Sequence, residues 1–79
     1  MARVRSLVLG DSDLLPHRTE VDCTYQIVGA DDGSRLLQLS TYGSDSRKSG
    51  PKVSQTLQID EGTAAELVEI IRRAFPSIH

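Results

Sequence analysis

Apolar and polar residues alternate with a period of two over three stretches of this chain and then change to helical spacing. From about Thr19 to Val28, Val21, Cys23, Tyr25 and Ile27 fall on one side and Asp22, Thr24 and Gln26 on the other. Between Leu36 and Tyr42, Leu37 and Leu39 alternate with Gln38, Ser40 and Tyr42. Between Val53 and Ile59, Val53, Leu57 and Ile59 alternate with Ser54, Thr56 and Gln58. Successive side chains of a strand point to opposite faces, so these runs predict three strands sharing one apolar face and one polar, uncharged face. Gln55 is the polar exception at an inward position of the third run. It predicts a place at the sheet end, at an exposed edge or against a second subunit.

Past Ile59 the spacing becomes helical. Ala64, Leu67, Val68, Ile71, Ala74 and Phe75 form one stripe, with Glu66, Glu69 and Arg73 opposite and Ile70 beside it. Asp60 sits at the N-cap, Glu61 in the first turn and Arg72 and Arg73 in the last, an order that suits the helix dipole; Pro76 stops the helix. The segments from Gly29 to Ser34 and from Gly43 to Pro51 are too short to carry a parallel crossover, so the three strands are expected to form a meander. Arg3 to Leu9 is a further candidate strand whose alternation blurs at Leu7-Val8-Leu9, and Asp11 to His17 reads as a loop.

The expected architecture is α+β: an antiparallel three- to four-stranded sheet, a meander, covered on one face by a single C-terminal helix. One domain spans residues 1–79, with residues 1–18 as an N-terminal strand and loop and residues 19–76 as the β-β-β-α core. The helix is expected to cover the apolar face. The polar face then meets water, another subunit or a ligand.

Seventy-nine residues lie near the lower limit for a single unstapled core, a limit often met by pairing with a second copy. The one cysteine, Cys23, cannot make an internal disulfide, and with His17 and His79 it cannot complete a four-ligand zinc site, so a cytoplasmic location is expected. The apolar run near the N-terminus is too short for a signal peptide or a membrane span, and Asp11 and Asp13 follow it.

A net charge of -2 argues against coating nucleic acid by bulk charge. Its distribution is uneven. Arg35, Arg47, Lys48 and Lys52 against Asp45 give the span 35–59 a charge of +3, leaving -5 for the rest. A cationic loop thus flanks the polar face, although such a loop is equally an ordinary solvated one.

Leu37-Gln38-Leu39-Ser40-Thr41-Tyr42, a cationic loop, and Val53 to Ile59 running into Asp60-Glu61-Gly62-Thr63 and a helix together resemble the PC4/YdbC-like family of small single-stranded DNA binding and transcription-cofactor domains. The likeness covers roughly Tyr25 to Phe75. It implies a homodimer whose sheets bind nucleic acid through basic and aromatic side chains, with Arg35, Tyr42, Arg47, Lys48 and Lys52 in the corresponding region. Single-stranded binders usually combine several stacking groups with a positive groove. Here Phe75 belongs to the helix stripe and Tyr25 to the inward parity, leaving Tyr42. The segments His17 to Tyr25 and Lys52 to Gln58 also resemble short bacterial proteins, a likeness that carries no mechanism.

Catalytic patterns are weak. Lys48-Ser49 lacks the preceding glycine and following helix of a phosphate loop, since Arg47 precedes it and Gly50-Pro51 follows. Cys23 lies on the apolar parity, which predicts a buried, inert thiol. Asp11 with Asp13, Asp31 with Asp32, and Asp60 with Glu61 fit a turn, a hairpin tip and a helix start; Asp11 and Asp13 alone make an incomplete cation site. The expectation is a non-enzymatic protein with no catalytic residues, metal or cofactor. Two binding readings follow from it, beside a bare homodimeric scaffold whose polar face pairs with itself.

In the first, Arg35, Arg47, Lys48 and Lys52 contact phosphates, Tyr42 stacks on a base, and Gln38, Ser40, Thr56 and Gln58 hydrogen-bond a nucleic acid, single-stranded DNA being preferred. In the second, a protein-interaction module of phage or accessory-adaptor type uses the same face or a free strand edge. A homodimer without membrane contact is expected in either.

Overall fold

The computed structural model describes residues 1–43 and 52–79. Strands β1 (Ala2–Arg3), β2 (Cys23–Gly29), β3 (Arg35–Tyr42) and β4 (Val53–Ile59) are followed by helix α1 (Glu61–Ala74). The sheet order is β1-β4-β3-β2, with β2 and β3, and β3 and β4, antiparallel. The α+β class, the meander and the C-terminal helix agree with the pattern of the sequence.

The sheet is not purely antiparallel. β1 pairs parallel with β4, Ala2 opposite Leu57 and Arg3 opposite Gln58. Short connections force antiparallel pairing only between neighbours in sequence. β1 reaches β4 from the far end of the chain and escapes that constraint. The expected first strand also shrinks from Arg3–Leu9 to these two residues, extended by one bond in which Val4 N donates to Gln58 O at 2.9 Å. Its pairing ends where the alternation blurs. β2 likewise starts at Cys23 rather than near Thr19.

Turn chemistry sets the β2–β3 register. Ala30 N donates to Ser34 O at 2.8 Å and Gly33 N to Ala30 O at 3.0 Å. Gly33 has φ +86°, a conformation that a side chain would strain. Asp32 Oδ1 accepts from both Ser34 N and Ser34 Oγ, at 3.0 and 2.6 Å, closing an Asx turn. Between β3 and β4 an irregularity intervenes: Thr41 opposes Gln55, but Tyr42 opposes Val53. The extra residue, Ser54, is a bulge. It moves Val53 out of the Leu57 and Ile59 row and into register with Tyr42, correcting the face expected from simple alternation.

α1 begins at Asp60, whose extended backbone and Oδ1, accepting from Thr63 N at 2.8 Å, make the N-cap. Phe75 N donates to Ile71 O at 2.8 Å at the other end, and Pro76 follows. That bond from Thr63 holds the Asp60 carboxyl below the usual carboxylate range, with Arg3 as a smaller contributor. A carboxylate depressed in the folded state adds stability above its unfolded pKa and loses it as pH falls through the folded value. Asp60→Asn, which keeps a capping oxygen, is expected to flatten the acid side of the stability curve in denaturant titrations over a pH series. An unchanged acid slope would remove the cap from the pH dependence.

The buried apolar side chains are Leu36 and Ile59, both at the end of the sheet where α1 departs but on opposite faces, Leu36 opposite Val28 and Ile59 opposite Leu37; Thr63 of α1 is buried as well. Ala64, Leu67 and Ile71 of the helix stripe are half-buried, whereas Val68 and Phe75 are exposed. The chain exposes 7329 Å², against about 4,700 Å² expected of a folded monomer of its mass. Its radius of gyration, 15.0 Å, likewise exceeds the roughly 11.6 Å of a compact domain of this length. The chain alone leaves its hydrophobic surface substantially uncovered.

Candidate interaction surface

Register divides the side chains between two faces. On one, Tyr25, Leu39 and Leu57 form a row across β2, β3 and β4, and Ile27, Leu37 and Ile59 form the next. On the other, Gln26, Gln38 and Gln58 form a row, flanked by Thr24, Ser40 and Thr56. The apolar and polar faces therefore contain the residues expected, Val53 excepted. Their exposure does not follow the expectation.

The apolar face is open. Tyr25 is 77% exposed, Ile27 59% and Leu57 42%. Cover is confined to one end, where Ile27, Leu37 and Ile59 share a concavity with Ala64 of α1. α1 departs directly from β4, and β2 lies two strand spacings away, roughly 10 Å. Tyr25 is thus corrected from core residue to surface aromatic. Cys23 is corrected too: its thiol is exposed, with a long 3.6 Å contact to Thr24 O. Being buried requires a second layer over β2, and the described residues place none there.

The polar face is the more closed of the two around β3. Gln58 Nε2 donates to Gln38 Oε1 at 2.8 Å, Gln38 Nε2 donates to Ser40 Oγ at 3.3 Å, and Ser40 Oγ lies 3.3 Å from Thr56 Oγ1. Ser40 is 5% exposed, and Gln38, Thr56 and Gln58 are half-buried. Tyr42 is also half-buried, its Oη 3.3 Å from Thr24 Oγ1. These groups largely satisfy one another. Cross-strand hydrogen bonding of this kind stabilises a sheet.

The cationic residues are dispersed. Arg35, opposite Gly29, shares the face of Ile27 and Leu37 and lies across the sheet from Gln38 and Ser40. Lys52 is exposed opposite Gly43, its carbonyl accepting from Gly43 N at 2.9 Å, one position beyond the Tyr42–Val53 pair. Arg47 and Lys48 lie outside the described residues. Gln38, Ser40, Tyr42, Thr56 and Gln58 therefore gather on one face, Lys52 lies just past the Tyr42 end of the β3–β4 ladder, and Arg35 does not join them. Gln55, opposite Thr41, is exposed at the end of the apolar face, one of the places its parity allowed. Ile70 shares a concavity with Leu7, Val8 and Leu9 of the N-terminal segment.

Two features were invisible to parity alone: the accessibility of Tyr25 and the free edge of β2. The edge had a signal in the sequence, since Cys23–Gly29 contains no charge and no proline to guard it. Among the described residues, no group of three or more His, Cys, Asp or Glu is placed to hold a metal ion. No helix there is long and apolar enough to cross a membrane. No family model, no curated protein and no solved structure matches the chain.

Proposed function

We propose that this protein is a non-enzymatic protein-interaction module. The observation carrying this reading is the open row of Tyr25, Ile27 and Leu57 on a sheet whose polar face is largely bonded to itself. Contiguous exposed apolar side chains on a small domain mark a surface that association covers. The nucleic-acid reading keeps one specific support, the presence of Tyr42 and exposed Lys52 at the same end of the β3–β4 ladder, where Gly43 N donates to Lys52 O. A stacking ring and a cation at one end of a sheet are the minimal elements of a single-strand platform.

One amide NMR experiment separates the two. A dilution series should shift Tyr25, Ile27 and Leu57 amides, whereas titration with single-stranded oligonucleotide at two salt concentrations should leave Tyr42 and Lys52 unmoved. Salt-sensitive shifts centred on Tyr42 and Lys52 would instead select nucleic acid.

A further inference from the structure

The β2 edge has a definite hydrogen-bonding pattern. Tyr42 N donates to Asp22 O at 3.1 Å, and Ala30 N donates to Ser34 O at the other end of the same register. Hydrogen-bonded pairs alternate along an antiparallel ladder, so Thr24, Gln26 and Val28 bond inward to β3. Cys23, Tyr25, Ile27 and Gly29 then turn N–H and C=O outward. Among the described residues no backbone bond beyond the sheet uses those groups.

We propose that β2 pairs antiparallel with β2 of a second copy about a two-fold axis through Gln26, joining two four-stranded sheets into one. This rests on the interaction-module reading and names its partner. The strand is self-complementary about that point. Gln26 is the middle of the seven residues Cys23–Gly29, so Tyr25 opposes the partner's Ile27 and Cys23 opposes the partner's Gly29. Every outward N–H and C=O of β2 meets a counterpart. The same register brings Tyr25 and Ile27, the most exposed members of the apolar face, into two aromatic to β-branched cross-strand pairs, a favourable combination.

The polar face gives an independent argument for this axis. Gln26, Gln38 and Gln58 lie in one row, and Gln58 already donates to Gln38. Placing Gln26 on the axis continues the row through the second copy as six amides in line. Each Gln26 side chain, exposed in the single chain, then has a partner amide that can both donate and accept. A shift of one residue would break the amide row and put odd residues against even ones. A closed two-fold pairing also consumes the edge, which stops further strand addition.

Residues on the axis form a non-hydrogen-bonded pair with Cα atoms roughly 4.5 Å apart, within reach of a disulfide. The test is therefore sedimentation of the native chain together with oxidation of two variants in a Cys23→Ser background. The native chain should sediment at twice its 8.6 kDa. Gln26→Cys should cross-link almost completely, and Thr24→Cys, which opposes the partner's Val28, should remain uncross-linked. A dimer in which Gln26→Cys fails to cross-link would overturn this edge pairing while leaving an interaction module that associates elsewhere. A chain that stays monomeric throughout would overturn the second copy as occupant. Shifts centred on Tyr42 and Lys52 with oligonucleotide would mark the separate failure of the interaction reading.

Discussion

Ile59→Ala is expected to destabilise the fold by about 2–5 kcal/mol, enough to remove most of its stability. The side chain is 4% exposed, and among the described residues it and Leu36, on the opposite face, are the two buried apolar side chains. It joins three parts of the molecule. It opposes Leu37 across the β3–β4 ladder, shares a concavity with Ala64, and lies directly before the Asp60 cap. A core of this size rarely supplies more than roughly 3–5 kcal/mol, so loss of one of its two centres has no reserve to draw on. Urea unfolding followed by circular dichroism at a fixed protein concentration should show a folded baseline that is short or absent. Val68→Ala, at a helix position 43% exposed, should leave most of the transition intact. Equal losses at the two positions would mean that the core lies under α1 instead of at the end of the sheet.

The elements were legible because local chemistry and periodicity agree. Alternation in Leu36–Tyr42 and Val53–Ile59, the Gly29 to Ser34 turn and the Asp60 cap each specify their own conformation. The parallel pairing of β1 was not legible, because Ala2–Arg3 is too short to carry a pattern and its partner lies more than fifty residues away. The bulge at Ser54 escaped for a related reason: it changes register without changing composition. Val53 looks like any other inward residue.

The candidate site was legible only in part. Parity assigned Gln38, Ser40, Thr56 and Gln58 to one face, as observed. It could not reveal that they hydrogen-bond to one another. Nor could it tell how far one helix extends over a sheet. Inward parity predicts burial for Cys23 and Tyr25, and both are exposed. Parity reports which residues share a face. Burial requires a second layer, and among the described residues none lies over β2.

Amide hydrogen exchange along β2 gives the second large effect and the most direct test of the idea that this strand is an occupied edge. In an unpaired edge, Thr24, Gln26 and Val28 are protected by β3 while Tyr25, Ile27 and Gly29 exchange at nearly the rate of a solvated amide. In a paired edge the alternation disappears. The expected result at high protein concentration is uniform, slow exchange from Thr24 to Val28, with Tyr25 and Ile27 regaining fast exchange as the protein is diluted. Strict alternation of slow and fast amides at every concentration would contradict the account.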